Sequence, residues 1–290
     1  MLKQHGRYDY SPIVERPVYD WPNGRRLAVY VALNLEHFAF GEGLGAELAP
    51  GGPEPDILNY AWRDYGNRVG VWRLLSLFDE LRMPIALLVN SEIYDFCPQV
   101  VAAFRERGDE IVAHGRTNSE RQADFSREDE ARLIRQVTEI ITLYENKRPA
   151  GWLGPWISQS IHTPDLLKAE GYKYLLDWCH DDQPIWFRTE SGPILSVPYP
   201  QEINDIPAIV GRKSGVSEFA EMIVDNFDEM MLQSESQPLV FGIALHPYIV
   251  GQPFRLRHLR RALKHLVEKV DKIWLTHPGA VAEHIISEKI

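Results

Sequence analysis

The amino-acid sequence predicts an α/β fold in which parallel strands close, or nearly close, into a barrel wrapped by helices. Three observations predict it. Strand-length apolar runs alternate with stretches of helical period along the chain, the pattern of βα units with parallel pairing. A chain of 290 residues suits one α/β barrel, which typically takes about 250. Several apolar runs also stop at ionisable side chains, at the strand edge where such folds collect their chemistry.

Residues 1–25 are polar, aromatic and proline-bearing (Tyr8, Tyr10, Pro12, Pro17, Trp21, Pro22) and are expected to form an arm over a single domain spanning 26–290. Leu27–Leu33 is uniformly apolar, as in a strand buried on both faces. A long turn-rich segment, from Gly41-Glu42-Gly43-Leu44-Gly45 through Pro55, follows and is a candidate lid or wall. Apolar residues from Val69 to Leu81 recur at helical spacing, predicting a helix over about 65–82 that Pro84 stops. Ile85–Val89 is the second strand. Pro98–Arg107 is a helix ended by Gly108, and Glu110–Ala113 the third strand.

Ser126 with Asp129 resembles a capping box and opens a helix to about Tyr144. Further helices are expected at 163–170, 216–232, 256–270 and 280–287, and strands at 172–176, 194–197, 238–245 and 272–275. No repeat of 20–50 residues and no low-complexity linker interrupts the pattern.

Hydrophobic residues make up 44% and charged residues 25%, ordinary globular values. The net charge of −10 argues against nucleic acid and anionic membrane surfaces as partners. Only Cys97 and Cys179 are present, so no disulfide framework or zinc ribbon is expected. The first thirty residues lack a signal-peptide pattern, and no run reaches the roughly 18 apolar residues of a membrane span. A cytoplasmic location is the expectation.

The predicted strand ends carry Glu36 and His37, then His114, then Gly154-Pro155-Trp156, then Asp177, then His246. In a parallel barrel these converge on one rim. Glu36 is a candidate general base. His114 and His37 are candidate metal ligands or donors to a substrate carbonyl. His246 suits a general acid or an oxyanion donor. Trp152 and Trp156, with Trp178 and Trp186, are candidate aromatic lining for a planar or cyclic substrate. His258 and His265 sit among Arg and Lys on an amphipathic helix, and a solvated face is expected there. No phosphate-binding glycine loop and no serine nucleophile elbow occur.

Taken together, Asn34-Leu35-Glu36, Tyr65-Gly66-Asn67-Arg68-Val69-Gly70-Val71-Trp72-Arg73, Ala113-His114-Gly115, Gly151-Trp152, and Leu245-His246 with Gly251-Gln252-Pro253-Phe254-Arg255-Leu256 resemble the polysaccharide deacetylase family (NodB homology, carbohydrate esterase 4). They look closer still to its cytoplasmic branch of metal-independent allantoinases and peptidoglycan-deacetylase-like proteins. The resemblance covers about Trp21 to His284. It implies a distorted (β/α) barrel, glycoside hydrolase/deacetylase-like, and hydrolysis of non-peptide C–N bonds in a small amide, cyclic amide or N-acyl compound.

Metal-dependent members end the first strand in an Asp-Asp pair and add two histidines four residues apart. Here Glu36 matches the base, His37 replaces the metal-binding acid, His114 matches the first histidine, and Asn118 stands at the second. The candidate metal set is therefore His37, His114 and Asn118; the expectation is no strongly bound metal, with zinc as the alternative. The Gly154-Pro155-Trp156 segment resembles the deacetylase-like members more than the allantoinases. With Pro155 and Asp177 it completes the candidate substrate-binding residues. The branch's tetramers imply that the aromatic arm packs on a neighbour in a homodimer or homotetramer. A metal-dependent N-acetyl sugar deacetylase and a catalytically inactive ligand-binding barrel are the alternatives.

Overall fold

The computed structural model describes residues 4–41 and 44–290; Glu42 and Gly43 of the expected lid lie outside them. Nine strands form one curled, mostly parallel sheet: β1 (Leu27–Leu35), β2 (Ile85–Val89), β3 (Glu110–Ala113), β4 (Gly151–Trp152), β5 (Tyr174–Leu175), β6 (Ile185–Phe187), β7 (Ile194–Ser196), β8 (Leu239–Leu245) and β9 (Trp274–Thr276). Their order is β6-β7-β5-β4-β3-β2-β1-β8, with β9 also paired to β1. The far edge of β8 is carried toward closure by Val240 N–H to Asp182 O (2.9 Å) and Ala244 N–H to Ile203 O (3.0 Å). The barrel is thus distorted and incomplete, as the resemblance implied.

The expectation of parallel strands throughout is corrected at β6, which runs antiparallel to β7. Three residues, one of them exposed, carry too little periodicity to be seen in sequence. The helix expected over 65–82 is a helix at Ile57–Tyr65, a π-turn at Gly66–Gly70 and a helix at Val71–Leu81. Ser126 caps Arg127–Glu145, its side chain accepting from Asp129 N–H. Among the described residues, no helix is long and apolar enough to cross a membrane.

Side chains alternate across each strand, so the two faces of β1 fill different cores. Leu27, Val29, Val31, Leu33 and Leu35 pack against helix residues such as Leu74, Leu77, Phe104, Ile134 and Leu263. Ala28, Tyr30 and Ala32 meet Ala86, Leu88, Val112, Tyr174, Leu176 and Ala244 inside the barrel, with Trp21, Val281 and Ile285 in the same cluster. Ala28 and Ala32 flank Tyr30 on that inner face of β1, and the Tyr30 hydroxyl donates to Pro198 O. Trp21, 1% exposed, donates its indole N–H to Leu239 O, so the expected arm ends in the core. Arg7 and Arg16 tie its earlier part to Asp165 and Asp181.

Candidate active site

Strand register builds the site. Leu35 pairs with Val89, Val89 with Ala113, and Ala113 with Trp152. One residue further on, Glu36, Asn90, His114 and Leu153 stand in a row along the rim, held by Asn90 N–H to Leu35 O, His114 N–H to Val89 O and Leu153 N–H to Ala113 O. On the other edge Leu33 pairs with Leu245, which puts His246 beside Asn34. Glu36 and His246 share the parity of the inner cluster, so both turn into the barrel mouth.

They line a cavity of about 120 Å³ together with Asn34, His114, Asn118, Leu153, Trp156, Tyr199 and Tyr248. Glu36 is 5% exposed. Its Oε1 accepts Asn118 Nδ2–H at 2.5 Å, and its Oε2 accepts the Tyr248 hydroxyl at 3.1 Å. Oε1 also lies 3.5 Å from His246 Nε2 and 3.7 Å from His114 Nε2. Burial alone would push the Glu36 carboxyl up. The His246 charge beside it outweighs burial and holds the group down to about 2.

His246 Nδ1 donates to Asp205 Oδ1 at 2.6 Å, and its backbone N–H to Asp205 Oδ2 at 2.8 Å. Burial works against a charged His246, but Asp205 and Glu36 on either side raise it to about 10. At neutral pH the pair is therefore a carboxylate beside an imidazolium. His114 differs. Its Nδ1 faces Leu153 O at 2.8 Å, and a carbonyl only accepts, so Nδ1 carries a hydrogen. Its buried Nε2 faces the cavity and, among the described residues, has no hydrogen-bond partner.

Several expected site residues stand elsewhere, for a shared reason. His37 and Trp152 have the opposite parity to Glu36 and Leu153. The His37 ring packs on Phe96 at 4.3 Å between centroids, in a separate small cleft with Asp64 and Asn67. Trp152 is wholly buried in the outer core and donates to Gln122 Oε1. Asp177 also faces away, Leu176 being the inner residue; its Oδ1 accepts Gly154 N–H at 2.8 Å while its Oδ2 is unpartnered. Burial pushes Asp177 up to about 7. Pro155 is buried beside Gly115. Trp178 and Trp186 are remote from the cavity, Trp178 packing on Phe187 and Tyr8.

Trp156 does reach the cavity, with Ile157, on a turn where both residues take left-handed φ values of 64° and 53°. This conformation is costly for non-glycine residues, β-branched isoleucine most of all. The indole N–H of Trp156 donates to Asn118 O at 2.8 Å. Sequence reasoning missed Asn90, Asp205 and Tyr248. Asn90 ends the second strand, so the strand-end rule applied there would have found it. Tyr248 follows His246 by two residues. Asp205 lies in an irregular segment and carries no local signal.

The metal set His37, His114 and Asn118 is not assembled. His37 is turned out of the cavity, and Asn118 offers Glu36 an N–H rather than an oxygen. Among the described residues no group of three or more His, Cys, Asp or Glu is arranged to hold a metal ion. The residues present do not fit one.

No family model matches the chain. A Schizosaccharomyces pombe protein described as a polysaccharide deacetylase is 26% identical over 300 aligned positions, covering 91% of each chain. The crystal structure of the PuuE allantoinase has a TM-score of 0.83 at 25% identity, over 97% of this chain and 98% of its own. A Pseudomonas aeruginosa structure described as a polysaccharide deacetylase gives 0.84 at 25% identity, over 96% and 98%. In sequence and in fold alike, the chain is similar to proteins described as polysaccharide deacetylases and to the PuuE allantoinase.

Proposed function

We propose that the protein hydrolyses a non-peptide C–N bond in a small amide, cyclic amide or N-acyl compound, without a strongly bound metal. The observation that carries this is the buried Glu36 carboxylate, 3.5 Å from the His246 imidazolium and 3.7 Å from the unpartnered His114 Nε2, at the mouth of a barrel. The reaction uses His114 in its Nδ1–H form, so that Glu36 Oε1 and His114 Nε2, 3.7 Å apart, are two acceptors for the hydrogens of one water. His114 is thus an orienting acceptor rather than a donor to the substrate carbonyl. As the water oxygen bonds to the carbonyl carbon, its proton passes to Glu36. His246 gives its Nε2 proton to the leaving nitrogen as the C–N bond breaks. Proton transfer from Glu36 to His246 then restores the starting pair.

The relatives' described activities, deacetylase and allantoinase, both fall within this reaction class. Among the described residues, the cavity lining includes no Lys or Arg, which favours a neutral substrate. Trp156 supplies an apolar wall for it.

The test is a panel of acetamido sugars, ureides, formamides and cyclic imides, with Glu36→Gln beside the wild type. Turnover by the wild type is expected, with a loss of about 10²–10⁴-fold in the variant and retained binding of the compound turned over. Wild-type protein inactive on the whole panel, or a variant within threefold of it, would favour the inactive ligand-binding barrel.

A further inference from the structure

Asn118 lines the cavity against Glu36, and its orientation is fixed by a chain of hydrogen bonds that starts at the backbone. The His37 N–H donates to Asn90 Oδ1 at 2.8 Å, which settles which end of the Asn90 amide is oxygen. Asn90 Nδ2 donates to the His114 carbonyl and, at 2.9 Å, to Asn118 Oδ1. Asn118 Oδ1 is thereby engaged away from the cavity, leaving Nδ2–H to donate to Glu36 Oε1. Amide ends are ordinarily ambiguous; here a main-chain donor and a main-chain acceptor determine both. Asn90 is fully buried and Asn118 is 3% exposed, so bulk water does not compete for the bonds that orient the two amides.

We infer that Asn118, turned by Asn90, is a positioning residue that fills the place of a cation: its N–H holds Glu36 Oε1 beside His114 and His246 and denies a metal the acceptor it would need there. The Asn118 backbone adds to this from the other side. Its N–H donates to the His37 carbonyl at 2.9 Å and its carbonyl accepts from Trp156, so the loop is anchored independently of its side chain. The segment carrying Asn118 therefore stays in place when the amide is changed.

The inference rests on the proposed hydrolysis only for what it says about turnover; cation binding is read without any substrate. Asn118→Asp replaces one donor by an acceptor of the same shape. Two carboxylates in contact, with His114 Nε2 beside them, carry one negative charge more than the His246 imidazolium offsets, and a divalent cation neutralises that excess. Cobalt(II) titrated at pH 8 is followed by its visible absorption, with zinc-induced thermal shift as the second readout. The expected result is no stoichiometric uptake at micromolar cobalt by the wild type and one equivalent by N118D, with a raised Tm in zinc. Where turnover has been found, N118D is expected to lose it in chelator and recover part of it with added metal, while the wild type ignores chelator. Tight cobalt uptake by the wild type, or a folded N118D that takes up none, would overturn the inference. Asn118→Ala, which removes donor and acceptor together, should fold and bind no cation; uptake by it would place the cation elsewhere.

Discussion

Single side chains in this barrel mouth work through what their neighbours leave them. Asp177 is the clearest case outside the reacting pair. It has one partner, the Gly154 N–H, and burial raises it from an ordinary 3.8 to about 7. The sign follows from linkage. Below about 4 the carboxyl is neutral in folded and unfolded chains alike, and its contribution to stability is fully present. As pH rises through 7 the unfolded chain ionises first, and the contribution is lost. Asp177→Asn keeps an oxygen for Gly154 and removes the ionisation. Thermal unfolding of the variant should therefore show a flatter fall of Tm between about pH 4 and 7 than the wild type. Equal slopes would place the titration on another group. Glu36 and His246 have the reverse disposition: held down to about 2 and up to about 10, they stay charged across that window.

At the scale of elements, the π-turn at Gly66–Gly70 explains why the short helix at Pro247–Val250 brings Tyr248 to Glu36. A Cβ on Gly70 would run into the Pro247 carbonyl, and one on Gly66 would lie 2.7 Å from Tyr248 N. Asn67 from the same turn donates to Glu36 O at 2.8 Å. Gly70→Ala should cost about 1–3 kcal/mol by overpacking, measured by denaturant unfolding, and should also slow turnover because the His246–Tyr248 segment is displaced. A variant that loses stability yet keeps full kcat/KM would separate the two elements. The sequence signalled most of this level: the apolar runs of β1, β2 and β8 and the capped helices were legible from period and punctuation. Convergence of Glu36, His114 and His246 was legible from strand ends. Parity was legible too, but only once the inner face was known. His37 and Trp152 were misplaced because a fully apolar strand does not say which alternate residues face in. Asp205 was missed because its partner is 41 residues away, joined by tertiary packing alone.

For the whole molecule, the N-terminal arm closes a surface that the barrel leaves apolar. Tyr8 stacks on His180 and Phe187 at 4.5 and 5.0 Å between centroids, while Arg7 and Arg16 each hold a carboxylate with both terminal nitrogens. Removing residues 1–16, which spares Trp21, should lower Tm by about 2–3 °C, the shift that ~1–2 kcal/mol brings to a chain of this size. An unchanged Tm would mean that the arm adds no net stability. The pairing of β1 has a wider consequence. Its edges are bonded to β8 from Leu27 to Leu33, to β2 from Val31 to Leu35 and to β9 from Ala28 to Tyr30. Breathing that admits solvent cannot begin in a staff clasped on both sides, so its amides should be released to deuterium only with global unfolding. Entry and exit of small molecules thus fall to the peripheral spans, notably the turn bearing Trp156, while the acid at the tip of the staff keeps still.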